Sequence, residues 1–351
     1  MRLATGADTA EWAAECGIDS RAVGLTQTEA TRLAEERHPG PDWSEHLFTS
    51  VWVNSCLPGL IDLARSWRPD LVVHEEEEYA GVLLAAIVGV PCVTHSWSSP
   101  ARPRVGRETA LRQMAPIWSR YLPHASPRTS GAMYLDACPP QMQSADIAEI
   151  PDVTTVRPST FDGPARSPVG WRADLPRPAA YLTLGTVPVF STPARLAHAA
   201  HAIAPLFAEV VMTTGPNPVE SMPALPANVR AFAYLPQSMV LPHVDLVVSQ
   251  GGAGGTVGAL MNALPHLAMA QGGQSQATAA AAIEQTGVGL CLDETHRSAG
   301  EIRAAAQLLM QDRRFSERAS RICEDLMRLP SPAQQVQLII DRLELKASPK
   351  A

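Results

Sequence analysis

No Cys-x-x-Cys pair occurs in this chain. The six cysteines (Cys16, Cys56, Cys92, Cys138, Cys291 and Cys323) are scattered without metal-ligand spacing. That excludes a zinc ribbon or dithiol redox centre and leaves buried free thiols in a reducing compartment as the expectation. Basic residues form no stripe. Lys and Arg total 28 against 35 Asp and Glu, a net charge of −7, which argues against a nucleic-acid partner. Long apolar runs are missing too: the longest, Val82 to Val93, is too short to cross a bilayer. Met1-Arg2-Leu3 leads straight into polar residues rather than an apolar leader, so a cytoplasmic protein without a membrane span is expected. Repeats and low-complexity tracts are absent, and with them the solenoid architectures.

What is present is alternation. The 351 residues, 46% hydrophobic and 18% charged, suffice for two ordinary domains. Strand-like and helix-like segments alternate from end to end, the mark of an α/β protein with parallel sheets. In the first half the pattern predicts strands at Leu71–His74 and Cys92–His95 and a helix at Ala80–Val88. It adds longer helices at Phe48–Trp67, interrupted at Pro58, and Arg107–Tyr121. A Pro-rich irregular stretch follows. The division read from this is a first domain over 1–156, a linker over 157–178 and a second domain over 179–351 carrying the C-terminal helices. Strands in the second are expected at Ala180–Leu184, Val210–Thr213, Val229–Ala233, Leu246–Val248, His266–Met269 and Val288–Leu292. The expected fold is two doubly wound parallel-sheet domains facing a cleft.

The segment from Asp245 to Ser275 is the most informative. A β-branched run ends at Ser249-Gln250; Gly251, Gly252, Gly254, Gly255 and Thr256 follow, and then a helical pattern begins. Glycines between a buried strand and a helix let backbone N–H groups approach an anion, and the helix N-terminus adds partial positive charge. A phosphate or diphosphate suits that geometry. The spacing is neither a P-loop nor a G-x-G-x-x-G fingerprint.

Other features lie at strand ends, where ligands bind in open parallel sheets. Glu75 heads the acidic run Glu75 to Glu78, most of which reads as a solvated loop. His95 and Trp97 follow the next strand and either line the cleft or merely pack. Gly185-Thr186 either presents a hydroxyl and backbone to a phosphate or forms a plain turn. Tyr234, ahead of Leu235-Pro236-Gln237, either stacks on a base or is a core tyrosine.

These places resemble the nucleotide-sugar-dependent glycosyltransferases of the GT-B fold, in the bacterial natural-product branch that decorates macrolides and aromatic polyketides. The resemblance runs from about residue 180 to 292. It rests on Leu182-Thr183-Leu184-Gly185-Thr186, Leu235-Pro236-Gln237, Asp245-Leu246-Val247-Val248 with the glycine loop, Leu264-Pro265 and Gly287-Val288-Gly289. In the first domain Pro69 to Glu75, Gly89-Val90-Pro91 and His95-Ser96-Trp97 match more loosely. The resemblance implies transfer of a sugar, a deoxysugar by expectation, from a dTDP- or UDP-sugar to a hydroxyl of a hydrophobic acceptor, with inversion and no metal or other cofactor. It places Gly185, Thr186, Tyr234, Leu235, Gln237, Gln250 to Gly252, Gly254 to Thr256, Gln274 and Ser275 at the donor, and Glu75 in the catalytic machinery. His95, Trp97 and Trp118, the last with Met114 and Tyr121, are expected to shape the acceptor pocket.

Three departures accompany it. The family carries His-His or similar where this chain has Ser249-Gln250, and an amide donates only a neutral hydrogen bond. Its sugar-reading carboxylate is replaced by Gln274. Its opening strand and His-bearing turn have no counterpart, because Met1 to Gly6 match the family's second strand. About one βα unit, on the order of 30 residues, is expected to be missing, with a start placed too late as the favoured cause. A sheet without that strand leaves unpaired backbone groups in its middle. These departures keep a second reading open: a non-catalytic glycosyltransferase-like protein that binds a nucleotide or assists a partner enzyme, alone or as a homodimer. An epimerase of the same architecture would want more acidic residues near the glycine loop.

Overall fold

The computed structural model describes residues 1–40, 43–163, 167–187, 190–270 and 274–345, without the side chains of 274–277. The first domain comprises β1 (Leu3–Thr5), α1 (Ala7–Glu15), β2 (Ser20–Ala22), α2 (Gln27–Arg37), α3 (Trp43–His46), α4 (Val53–Trp67) and β3 (Val72–Glu75). It continues through α5 (Tyr79–Val88), β4 (Cys92–His95), α6 (Arg104–Tyr121), β5 (Met133–Asp136) and β6 (Val153–Thr155). The second holds β7 (Ala179–Thr183), α7 (Pro193–Ile203), β8 (Glu209–Thr213), β9 (Val229–Phe232), α8 (Gln237–Val240), β10 (Leu246–Ser249), α9 (Ala253–Met261) and β11 (His266–Met269). Then come α10 (Gln274–Thr286), β12 (Gly289–Leu292), α11 (Ala299–Gln311), α12 (Arg313–Arg328) and α13 (Pro332–Arg342).

The second-domain sheet has the order β12-β11-β10-β7-β8-β9, every pair parallel. Its central strands β7, β8, β10 and β11 are buried along their whole length, as strands covered by helices on both faces must be. Leu182, Leu196, Met212, Val248 and Ile302 build the core on one face, and Tyr181, Val211, Leu241 and Val247 that on the other. The order places the ends of β7 and β10 side by side at the middle of the sheet, where crossovers diverge and a crevice opens.

The first domain is built differently from a single continuous sheet. β3-β4-β5-β6 form one parallel sheet, and β1-β2 form a separate parallel pair. Leu3 N–H donates to Asp19 O and Val23 N–H to Thr5 O, while Val72 N–H donates to Pro91 O and Glu76 N–H to His95 O. By the alternation of parallel ladders, the backbone groups of Ala4 and Val73 therefore point away from their partner strands. Arg2 lies 5.4 Å over the Trp67 ring, which sets the starts of β1 and β3 at one end. Between them is a cavity of about 310 Å³ lined by Leu3, Thr5, Cys56, Leu60, Val73 and Glu75. Val73, on the edge strand β3, is 56% exposed there, an unusual state for valine in a parallel sheet.

Several boundaries differ from the sequence reading. Pro58 does not interrupt its helix but lies within α4, directly after a π-helical turn at Leu47–Trp52. The continuous helical stretch Trp43–Trp67 is, by length and composition, apolar enough to cross a membrane; its Val53, Leu57, Leu60 and Ala64 pack in the first-domain core. The last helix, expected with the second domain, packs on the first. Ile339 joins Val93, Met133 and Leu135, and the Gln335 side chain donates to Thr155 O at 2.7 Å. Of the cysteines, Cys56, Cys92 and Cys138 are buried and free, while Cys16, Cys291 and Cys323 are only half-buried.

Candidate functional site

The glycine loop forms because β10 ends on an anchored serine. Ser249, fully buried, lies 2.7 Å from His266 Nε2 on the neighbouring strand and accepts from Gly251 N–H at 3.0 Å. Burial holds His266 down at about 4, so its imidazole is neutral. Gly251 then turns with φ +79, a backbone that favours glycine. Gly252 stands at the N-cap of α9 without any side-chain capping bond, so the N–H groups of the first turn are left for a ligand.

That helix end opens on a cavity of about 360 Å³ between the domains. Its floor is a chain of hydroxyls: Tyr181 OH lies 3.0 Å from Thr213 Oγ1, Thr213 donates to Thr183 Oγ1 at 2.8 Å, and Gly185 N–H donates to the same oxygen at 3.3 Å. Gly185, with φ +78, closes β7 against Gln250; a Cβ there would fall within contact of the Gln250 amide, and so would one on Gly252. The Gln250 amide therefore lies over the gap between the ends of β7 and α9. Thr186, Tyr234, Leu235, Gln237 and Gly254 line the same cavity.

The cavity thus gathers Gly185, Thr186, Tyr234, Leu235, Gln237 and Gly254. Gly251, Gly252, Gly255 and Thr256 shape the turn behind it. Thr256 is buried with its hydroxyl unpartnered, and Gly255 lies close over Ser249. The side chains of Gln274 and Ser275, like Gly272 and Gly273, lie outside the described residues. Among described residues, no group of three or more His, Cys, Asp or Glu is placed to hold a metal. The sequence reading missed the linker segment Ser159 to Asp162, which lines the cavity; irregular, Pro-rich chain carries no periodicity to announce such a role.

Acceptor-side expectations need correction. Trp118 is 1% exposed and packs with Met114, Leu57 and Leu83 in the first-domain core, with Tyr121 against the same cluster. Trp118 and Met114, fully buried, hold α6 to the core and present nothing to a ligand, while Tyr121 is only half-buried. Trp97 lines the cavity at the α9 N-terminus, edge-on to Phe48 at 6.1 Å. His95 is exposed at the end of β4, its imidazole pushed below the usual range by desolvation. It is the register partner of Glu75 on β3.

The acidic run is not a solvated loop either. Glu78 caps α5, accepting from Ala80 and Gly81 N–H at 3.0 and 2.8 Å. Glu76 accepts from Trp97 N–H and Tyr134 OH, and Glu77 pairs with Arg102. Glu75 accepts from Glu77 N–H at 3.0 Å and faces the cavity between β1 and β3. Burial, and then the charges of the three neighbouring glutamates, push its carboxyl up to about 9. Its folded value is thus above the usual 4.5, and the folded chain holds a proton that the unfolded chain has lost. Stability from this group is greatest at low pH and falls as pH rises from about 4.5 toward 9. Urea midpoints measured at pH 6 and 8.5 are expected to fall less for Glu75→Gln than for the unmodified chain. Parallel falls would contradict the assignment, since the other glutamates are common to both proteins.

With this geometry in place, comparisons with known proteins agree in direction. Residues 3–185 match the family described as erythromycin biosynthesis protein CIII-like, N-terminal domain, and residues 198–342 match its C-terminal domain. The chain is similar to TDP-daunosamine transferase DnrS of Streptomyces peucetius, 30% identical over 81% of this chain and 70% of that protein. It is also similar to the L-demethylnoviosyl transferase of Streptomyces niveus, 31% identical over 79% and 72%. Among solved structures, the glycosyltransferase SnogD from Streptomyces nogalater aligns with a TM-score of 0.80 at 25% identity, over 97% of this chain and 91% of that one. The glycosyltransferase VinC, solved in complex with dTDP, shares the fold with a TM-score of 0.77 at 24% identity, over 98% and 92%.

Proposed function

The chain belongs to the erythromycin biosynthesis protein CIII-like family of natural-product glycosyltransferases with the GT-B fold, and from that premise we infer that it moves a deoxysugar from a dTDP-sugar to a hydroxyl of a hydrophobic small molecule, with inversion at the anomeric carbon. The observation that carries this reading is the uncapped N-terminus of α9, aimed into a cavity floored by the Tyr181–Thr213–Thr183 hydroxyls and edged by Tyr234. The diphosphate sits on the α9 N–H groups. As the glycosidic bond breaks, its growing charge meets fixed donors and a helix dipole. Gln250 adds a neutral donor from above. The nucleobase lies toward Tyr234, and the acceptor enters from the side of the β3 and β4 ends, where Glu75 and His95 stand in register.

Deprotonation of the acceptor requires a base. Glu75 holds its own proton at neutral pH, so it acts as a positioning group that becomes a carboxylate when a cation or imidazole comes beside it. His74 is not that imidazole: it is buried, with Nδ1 2.8 Å from Glu78 O and Nε2 2.9 Å from Thr94 Oγ1. The same protonated Glu75 favours the second reading, in which the chain binds the nucleotide and assists a partner enzyme. Calorimetry with dTDP and UDP, followed by turnover of a dTDP-deoxysugar panel, tests both. Saturable dTDP binding is expected, and binding of neither nucleotide would overturn both readings. Binding without turnover of any donor would favour the auxiliary one.

A further inference from the structure

Large aromatic side chains are scarce here, 5% of residues, and two that remain well exposed meet at one cavity. Tyr234, just beyond β9, is 58% exposed, and Phe161, in the linker, is 61% exposed; both line the donor-side cavity. Exposed rings cost water contact that burial would relieve, so two facing one cavity describe a slot for something flat. The rest of the cavity fixes what that is. Tyr234 follows β9 and the phosphate cradle follows β10, and these strands are three steps apart in the sheet. At roughly 4.8 Å per step the separation is about 14 Å, which is the reach of an extended nucleoside diphosphate and exceeds that of pyrophosphate alone.

We propose that Phe161 and Tyr234 clamp the nucleobase of the donor from opposite domains' sides, making the linker ring a specificity-determining part of the donor site. This rests on the nucleotide-sugar reading above and adds to it a residue from outside the donor domain. Phe161 is held from behind: its ring meets Trp12 of α1 edge-on at 5.8 Å and 85°. The Gly163 backbone, with φ +65, runs close to the Trp12 ring and Cys16. The clamp therefore joins all three parts of the chain, since Trp12 belongs to the first domain, Phe161 to the linker and Tyr234 to the second domain. Asp162, next to Phe161, also lines the cavity; partial burial first, and then the nearby Asp162 charge, hold the Tyr234 phenol proton more tightly. Closing a base between the rings brings the domains into register over the diphosphate, a positioning role distinct from the cradle's.

The test is calorimetric titration of the whole chain and of Phe161→Ala and Phe161→Tyr with dTDP, thymidine and pyrophosphate. Because Phe161 is exposed in irregular chain and its ring meets Trp12 edge-on, the Tm is expected to fall slightly in Phe161→Ala and to be unchanged in Phe161→Tyr. Phe161→Ala is expected to weaken dTDP and thymidine at least about fivefold, the low end of what a stacked ring contributes, with pyrophosphate unaffected. Phe161→Tyr is expected to restore binding. Equal dTDP affinity in Phe161→Ala and the unmodified chain would overturn the clamp and leave the donor site intact. Equal weakening of pyrophosphate would also overturn it, because the ring would then be structural. An unmodified chain that binds neither dTDP nor UDP would overturn the donor reading itself.

Discussion

Replacing Gly254 by valine is expected to weaken dTDP binding about a hundredfold, roughly 2.7 kcal/mol, while leaving the Tm unchanged or slightly raised. Gly254 lies in the first turn of α9 and lines the donor-side cavity, and a Cβ built there meets nothing within 4 Å. A larger side chain therefore strains no neighbour in the empty protein. It projects into the space that a diphosphate needs to reach the helix N–H groups. Glycine inside a helix is also entropically unfavourable, so the substitution favours the folded state. Gly258→Ala, one turn along the same helix, is the comparison: a Cβ there would press only on the ends of the Gln237 and Leu241 side chains, which can swing aside, so its Tm is expected to change little. Because Gln237 lines the same cavity, a small loss of dTDP binding is expected, well below that of Gly254→Val. Calorimetry with dTDP and thermal melts of both variants decide it. Undiminished binding by Gly254→Val would remove the α9 N-terminus from the phosphate site.

Filling the gap in the first domain has the other large expected effect. A chain extended ahead of Met1 by a βα unit grafted from a relative is expected to melt about 10 °C higher. The gap leaves the strand edges at Ala4 and Val73 unpaired and Val73 and Leu3 exposed beside an apolar cavity. Burying two such side chains contributes about 1.5–3 kcal/mol each, and each new ladder hydrogen bond adds about 0.5–1.5. At roughly 2–4 °C per kcal/mol for a domain of this size, the sum is a shift that thermal melts resolve easily. A strand there would also end beside Glu75, whose carboxyl is held at about 9 by burial and then by the neighbouring glutamate charges. A base delivered to that place is expected to bring Glu75 down and to raise turnover. An extended chain with an unchanged Tm would mean that the gap does not accept a strand.

Much of the second domain was legible because its signals are local. β11 appears at the residues that composition and punctuation marked, and β7, β8, β9, β10 and β12 within one residue at either end. Continuous apolar runs bounded by Gly and Pro read as buried strands whatever lies around them. The glycine loop is equally local, since its turn needs the positive φ of Gly251 and the close approach of Gly252 to Gln250, and its distance from a P-loop was visible in the spacing alone. The first domain was less legible. β1, β2 and β6 are only three residues long and none of their residues is fully buried, too short and too exposed to show a pattern. Trp118 and the acidic run show the limit most clearly. Amphipathic spacing does not say which face of α6 meets the core, and a run of four glutamates reads as solvated until each is found beside its own backbone N–H, phenol or guanidinium.

The sequence by itself determined the fold class and the glycine turn after β10, because each depends on contacts among residues close along the chain. Tertiary structure alone decided which rings and carboxyls face a cavity, and it set α13 against the first domain. Phe161 reaches the cavity at the α9 N-terminus through a linker with no regular structure, Thr183 and Thr213 join a hydroxyl chain across two strands, and Glu75 opens on a gap between two sheets. Those placements depend on pairings between segments far apart in sequence, whose free energies are set by burial and by the strand order of the sheet. The glycine loop could be read from residues 249 to 256; what it faces could not.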